Sequence, residues 1–495
     1  MRWCLPALVV GAVLRVMLWI DLPFALLHDD TPDYLSTTNG LLHHGELSVH
    51  EKKTFLYPLF LTAHTLLPIP ALRTLPLTQH ALGLAVVLLV GGLVQAWCRK
   101  WRWWIVPITL LTAANPYLLW YEHTLMAESL FVFATVVLAA AGTFYAMRRS
   151  GGAFALLCGA LVLEAGARPE GKLLFGFALL LLVSLHWRER RLLGRRLMIF
   201  SVVALATHLV TRTEQAGLLL YTSLARLTPE RLTSAPGFEP YIAPVRAGLQ
   251  HRWEARRSFP GAEDRRDVAR VVKTYLKETG RGGSSEKFCQ RLAMETCARS
   301  FVEMPRWFLQ KLQATASLAP GGRFNRDWMV GAQKDAWTSD FAKLQKLAPR
   351  LAGRPFATES DVEAFLEENY PSVRWFNRWH TRWTDAAAAI RFPVRDAPHV
   401  VPGRRLQGVP VYFALAAAGA FALMLRRGTL QPFHIAWGLA FAALFVVIFL
   451  TANIRPRFRI AYEPFWLLYL AAGLDALFSR ARASSADRSD PPANR

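Results

Sequence analysis

Three carboxylates and a tyrosine fall within six residues in the stretch His28-Asp29-Asp30-Thr31-Pro32-Asp33-Tyr34. A carboxylate in such a group can take a proton from a hydroxyl or an amine. Neighbouring carboxylates and partial burial raise its pKa toward a useful value. The same oxygens could hold a divalent cation as hard ligands, with His28, His43, His44 and His50 as scattered further donors. The stretch also reads as a plain helix start, with Asp29 or Asp30 at the N-cap and Pro32 in the first turn.

Two basic turns and one acid complete the set of residues that could do chemistry. Arg168-Pro169-Glu170 and Asn453-Ile454-Arg455-Pro456-Arg457-Phe458-Arg459 place guanidinium groups at the ends of apolar runs. A guanidinium fork suits a phosphate or pyrophosphate, and equally a structural ion pair. Lys52, Lys53 and Lys172 are lesser candidates for the same role. Glu128 lies near one end of the apolar run at 124–146, in Glu122-His123-Thr124-Leu125-Met126-Ala127-Glu128-Ser129. An acid at that depth requires a cavity or a partner. It could face the acidic stretch as a second carboxylate or pair with a cation on a neighbouring run.

The elements that must position these residues are membrane spans. Of 495 residues, 53% are apolar, mean hydropathy is positive, and the apolar residues are bunched in runs long enough for a hydrocarbon layer of about 30 Å. The net charge of +22 is not one basic patch. It is divided among short clusters between runs, which argues against nucleic acid as a partner. The expected fold is an all-α polytopic membrane protein with ten spans, at 3–20, 76–97, 103–120, 124–146, 152–167, 172–187, 197–212, 409–425, 432–451 and 459–478. Arg15 interrupts the first run and no small-residue cleavage site follows it, so it reads as a retained span. With ten spans, the clusters Arg99/Lys100/Arg102, Arg148/Arg149, Arg188–Arg196, Arg426/Arg427 and Arg480/Arg482 share one face. The positive-inside tendency makes that face cytoplasmic. Its connections are too short for a nucleotide-binding domain, and no Walker P-loop is present.

The acidic loop at 21–75 and the charged segment at 213–408 then lie outside, as do Arg168 and the arginines at 455–459. The domains read as 1–212 for an N-terminal membrane module and 213–408 for a mostly helical extracytoplasmic domain between spans seven and eight. They continue as 409–478 for the last spans and 479–495 for a disordered cytoplasmic tail. Helices are expected near Asp267–Thr279 and Glu359–Glu368. Arg374, Arg378 and Arg382 alternate with Trp375, Trp379 and Trp383, the pattern of an interfacial helix or of an amphipathic helix packed on its own domain. Cys289 and Cys297 would be about 12 Å apart on one continuous helix, so a disulfide between them requires a turn.

The order of these motifs resembles the GT-C superfamily of membrane glycosyltransferases, which includes protein mannosyltransferases and bacterial transferases that modify lipid A or other envelope glycans. The resemblance is carried by Asp30 to Tyr34 as Asp-x-x-x-Tyr after the first span, Tyr-Pro-Leu-Phe-Leu at 57–61, Ala127–Phe131, Arg168-Pro169-Glu170-Gly171, and an arginine-rich turn before a last span containing Pro464. It covers about 21–190 and 450–478 and leaves 213–408 unassigned. Leu56 stands where the family has Gly.

The resemblance implies a sugar donor on a polyprenyl phosphate and an envelope acceptor that is protein, lipid or glycan. It implies an extracytoplasmic site on a bacterial inner membrane and attack that inverts the anomeric centre. Asp30 or Asp29 would be the base, and Glu128 a second acid. Tyr34, Lys53, Arg168, Arg455, Arg457 and Arg459 would bind substrate. The sequence names no certain cofactor, and a divalent ion could take part. The rival readings are a transporter or flippase of lipid-linked sugar, which predicts ionisable residues deep in several spans, and a non-catalytic envelope-assembly protein.

Overall fold

The computed structural model describes residues 2–28, 30–45, 53–98, 102–211, 221, 237–256, 262–280, 285–299, 323–338, 341–389, 391–392, 409–425, 428–451, 460 and 462–486. The chain is an all-helical polytopic membrane protein. Among the described residues the one strand pairing is a two-residue antiparallel ladder, Arg391–Phe392 against Val409–Pro410.

Helix α1 (Leu5–Asp21) ends at Leu22, the residue before Pro23, which sterics exclude from the helical region. Two short helices follow, α2 (Thr31–His44) and α3 (Leu56–Thr65). The membrane helices continue as α4 (Ala71–Trp97), α5 (Ile105–Ala113), α6 (Pro116–Glu122), α7 (Glu128–Arg148) and α8 (Gly151–Ala167). After a 3-10 turn at Pro169–Leu174 come α9 (Phe175–His186) and α10 (Arg190–Val210). Among the described residues five stretches are long and apolar enough to cross a membrane: Arg2–Asp21, Ala71–Trp97, Glu128–Arg148, Pro169–His186 and Arg190–Val210. On α1 and α10 one face of large apolar side chains points away from the protein, with Val9, Val13, Val16, Met198, Val202 and Leu209 all exposed, as lipid-facing helices require, while Leu18 and Phe200 turn inward.

Two expected spans differ from what the structure holds. The span at 103–120 is broken into α5 and α6, because Asn115 caps a new helix and Pro116 has no N–H to continue the old one; Asn115 Oδ1 accepts from Tyr117 N at 2.9 Å. The span expected from 124 begins instead at Glu128, since residues 123–126 form an extended turn that pairs elsewhere.

The segment after α10 holds α11 (Glu239–Arg256), α12 (Ala262–Glu278), α13 (Ser285–Arg299), α14 (Arg326–Thr338), α15 (Phe341–Ala352), α16 (Glu359–Asn369) and α17 (Arg374–Ala389). These helices do not share one core. Helices α11–α13 bury their own cluster around Phe238, Val272, Tyr275 and Leu292. Helices α14–α17 bury Trp337, Phe356, Phe365 and Phe376 in the same core as the membrane module. Cys289 and Cys297 lie on the single helix α13 and both are free thiols.

On α17 the three tryptophans are half-buried against the main core while Arg374, Arg378 and Arg382 are exposed. Trp375 Nε1 donates to Asp21 Oδ2 at 2.6 Å, so the stripe closes onto the end of the first span.

Three further helices end the described chain, α18 (Val411–Leu425), α19 (Gln431–Thr451) and α20 (Glu463–Ala486). Helices α18 and α20 cross at Gly419 and Gly473. A Cβ on Gly419 would lie 2.1 Å from the Tyr469 carbonyl oxygen, so only glycine allows the crossing.

Candidate active site

The segment between α1 and α2 is extended and runs beside the turn that leads into α7. Leu26 N donates to His123 O at 2.9 Å and Leu125 N donates to Leu26 O at 2.7 Å, a parallel bridge between Leu26 and Thr124. Leu26 is four residues before Asp30, and Thr124 is four residues before Glu128. One pair of backbone hydrogen bonds thereby brings the acidic loop and Glu128 to the same end of the bundle. Thr31 adds a second tie: its Oγ1 accepts from His28 N at 2.7 Å and donates to Leu125 O at 3.1 Å.

Asp30 occupies the N-cap position of α2, as one sequence reading expects, with Pro32 in the first turn, but its side chain makes no capping bond. Its carboxylate faces Lys53 instead. Lys53 Nζ lies 3.1 Å from Asp30 Oδ1 and 3.7 Å from Asp33 Oδ2, and 4.8 Å from the centre of the Tyr34 ring. Tyr34 stands edge-on to Tyr57 at 4.8 Å. All four charged and aromatic members of the Asp30–Lys53 group come from two places in sequence that hydropathy alone does not connect.

The second half of the site is the turn after α8. Arg168 Nη1 donates to Glu128 Oε1 at 2.9 Å, while Nε and Nη2 each donate to the Glu170 carboxylate at 3.2 Å. The ion-pair reading of Glu128 therefore describes its geometry. Glu128 is buried, and its Oε2 has no hydrogen-bond partner among the described residues. Burial alone would lower the Arg168 pKa. Glu170, Glu128 and Tyr34 outweigh burial and hold it above its ordinary value, so the guanidinium stays charged. Gly171 makes the turn: a Cβ there would lie 2.4 Å from Glu164 O on α8.

Tyr57 links the two halves. Its hydroxyl donates to Gln79 Oε1 at 3.3 Å. Burial, then Tyr34 and Glu128, push its phenol well above the usual range, which keeps it a neutral donor. Gln79 Nε2 in turn donates to Glu122 O at 2.9 Å and Thr124 O at 3.0 Å, fixing the turn before Glu128.

Behind Gln79 lies a network that motif reasoning did not anticipate. Arg15 Nη2 donates to Glu122 Oε1 at 2.6 Å, His80 Nδ1 lies 2.9 Å from Glu122 Oε2, and His123 Nδ1 lies 3.3 Å from His80 Nε2. Every member is buried. Arg15 within the first apolar run was the available signal, because a cation inside a span requires an opposite charge on a neighbour.

Asp29, His50, Lys52, Arg455, Arg457 and Arg459 lie outside the described residues. Lys172 Nζ is engaged by the Thr211 carbonyl just after α10. Among the described residues no three His, Cys, Asp or Glu side chains are grouped so as to hold a metal ion.

No protein-family model matches the chain, and no curated protein matches it in sequence. Solved structures similar to it include AglB, the oligosaccharyltransferase of Archaeoglobus fulgidus, solved with an inhibitory peptide and a dolichol-phosphate. It is 12% identical, the overlap covers 100% of this chain and 52% of that one, and the TM-score is 0.41. This chain thus spans about half the length of the archaeal protein. ArnT of Cupriavidus metallidurans, bound to undecaprenyl phosphate, is 15% identical over 98% of this chain and 81% of its own, with a TM-score of 0.33. The same ArnT in its apo state is 16% identical over 91% and 77%, with a TM-score of 0.31.

Proposed function

We propose that this protein is a membrane glycosyltransferase of the GT-C type, moving a sugar from a polyprenyl-phosphate donor to an envelope acceptor. The observation that carries the proposal is the Leu26–Thr124 bridge, which gathers Asp30 and Lys53 with Glu128 and Arg168 at one end of the bundle. An acid beside cations at a membrane surface suits transfer from a lipid phosphate, where a proton leaves the acceptor as negative charge grows on the departing group.

In this reaction the acceptor oxygen or nitrogen attacks the anomeric carbon from the face opposite the phosphate. The bond from that carbon to the phosphate oxygen breaks, the configuration inverts, and the acceptor proton passes to Asp30 or Asp29. Lys53 and Arg168, with Arg455, Arg457 and Arg459 from the turn before the last span, hold the lipid phosphate as it leaves. Tyr34 flanks the reacting sugar and Glu128 orients Arg168. A divalent ion would bind the loop carboxylates if it takes part. The site faces the periplasm of a bacterial inner membrane in this reading, and the donor arrives through the bilayer rather than from a nucleotide sugar. Polyprenyl phosphates were bound to the archaeal and Cupriavidus proteins; for this chain that lipid class is a proposal.

One observation favours the transporter reading. Arg15, His80 and Glu122 are ionisable groups within the membrane module. They are bonded to one another, and the void beside Glu122 and Ser129 is only about 10 Å³. That is room for about one water and not for a sugar.

The test is transfer of radiolabelled sugar from polyprenyl phosphate by the purified protein, with Asp29→Asn and Asp30→Asn. Loss of transfer in one of the two identifies the base, and unchanged transfer in both sinks the assignment. Absence of transfer from any lipid-linked donor favours the transporter or the assembly protein.

A further inference from the structure

We infer that Gln333, on the outer helix α14, is a positioning residue for the acidic loop, an inference that rests on the transferase reading. The extended segment before Asp30 is held on both edges. On one edge Leu26 pairs with the backbone at 123–125. In an extended chain successive residues direct their N–H and C=O to opposite edges, so Leu27 turns the other way. There, among the described residues, it meets no strand. It meets the side-chain amide of Gln333, whose Oε1 accepts from Leu27 N and whose Nε2 donates to Leu27 O at 2.7 Å.

A primary amide is a neutral side chain that offers a donor and an acceptor side by side, and here it stands in for a neighbouring strand. Gln333 is 0% exposed and Leu27 is 2% exposed, so water does not take over either bond. Tyr370, at the end of α16, closes the same edge by donating its hydroxyl to Ala25 O at 2.8 Å. Phe24 meets Phe365 edge-on at 5.1 Å beside it.

Leu27 lies three residues before Asp30. The bridge at Leu26 sets the loop's position along the turn that carries Glu128, and Gln333 sets its position across it. Ala25 is fixed separately, by Tyr370 and by Leu72 O, which accepts from Ala25 N at 2.7 Å, so Gln333 is what holds the Leu27 peptide itself. Without it that peptide could turn and carry Asp30 away from Lys53. The segment at 213–408, which the family resemblance does not cover, would thereby reach the chemistry through Gln333.

The experiment uses the full-length protein in lipid nanodiscs with Gln333→Met, which keeps the shape and removes both bonds, and Gln333→Glu. Thr358→Ala is the control, since it weakens α16 by removing its N-cap without touching Leu27. Amide hydrogen exchange at Leu27, whose N–H is bonded to Gln333 and not to α16, should quicken in Gln333→Met and not in Thr358→Ala. In Gln333→Met kcat should fall about 10- to 100-fold with KM for the lipid donor within about threefold. In Gln333→Glu transfer relative to the unsubstituted protein should recover as pH falls, because the neutral acid restores both donor and acceptor.

Unchanged exchange in Gln333→Met overturns the clamp. Quickened exchange with an unchanged kcat overturns the positioning role. If the unsubstituted protein transfers nothing from any lipid-linked sugar, the transferase reading fails and takes the positioning role with it, while the exchange result still decides the clamp.

Discussion

Arg15 Nη2 lies 2.6 Å from Glu122 Oε1, and both side chains are almost wholly buried. The pair joins the first span to the short helix α6, and Arg15 Nη1 also donates to Gly11 O and Ala113 O, each at 3.1 Å. Gly83 makes room for it, since a Cβ there would lie 2.0 Å from Glu122 Oε1 and 2.7 Å from Arg15 Nη2.

Breaking one partner of a buried pair strands the other. Arg15→Leu should therefore lower stability by about 3 kcal/mol, and the Arg15→Leu/Glu122→Leu double variant by clearly less. Thermal unfolding of the purified protein in detergent measures both. Equal losses in the single and double variants would mean that packing, not charge, governs this contact.

Gly171 is a sharper test of the basic turn. Its pro-Cβ direction faces backbone, not a flexible side chain, so Gly171→Ala cannot be absorbed locally. The expected cost is about 1–3 kcal/mol. The Arg168 guanidinium should shift off Glu128, and transfer should fall together with the melting temperature. Gly176→Ala, where nothing lies within 4 Å of the added Cβ, should leave both unchanged.

The spans and the site were legible to different depths. The apolar runs could be placed because hydrocarbon forces every backbone polar group into a helix, so hydropathy reports topology directly. Asp30, Glu128 and Arg168 could be singled out by type and sidedness. Their pairing could not, because it depends on the Leu26–Thr124 bridge, and two residues of extended backbone leave no periodicity to read. Lys53 and Gln333 were harder still. Lys53 was a lesser candidate until the fold set it against Asp30, and a glutamine inside an amphipathic helix carries no signal of a backbone partner 306 residues away.

Helix α16 should carry an acid-sensitive element at Asp361. Its carboxylate accepts from Thr358 N and Ala357 N, both at 2.8 Å, and these bonds hold its pKa below the ordinary value. A depressed folded pKa means that the unfolded chain binds its proton first, so the contribution is present at neutral pH and is lost as pH falls below about 4. Asp361→Asn should lower the melting temperature at neutral pH, remove that part of the pH dependence, and leave the melting temperature little changed only once pH has fallen well below about 4. Melting curves from neutral to acid pH check the sign; a variant that loses stability most in acid would contradict it.

Arg168 offers the strongest separation between holding and catalysing. Its fork reaches Glu128 through Nη1 and Glu170 through Nε and Nη2, a geometry that one ammonium cannot reproduce. Arg168→Lys keeps the charge and loses the fork, so Glu128 should lose its anchor while the local field survives. If Arg168 stabilises the departing phosphate, kcat should drop about 100-fold or more with a smaller change in donor KM, because the interaction grows as charge develops. Glu128→Gln keeps an acceptor for Nη1 and removes a charge, and it should be milder than Arg168→Lys if Glu128 only orients the arginine. A Glu128→Gln loss that matches or exceeds that of Arg168→Lys, at unchanged melting temperature, would instead make Glu128 a participant in the proton transfer, with its unpaired Oε2 as the acting oxygen.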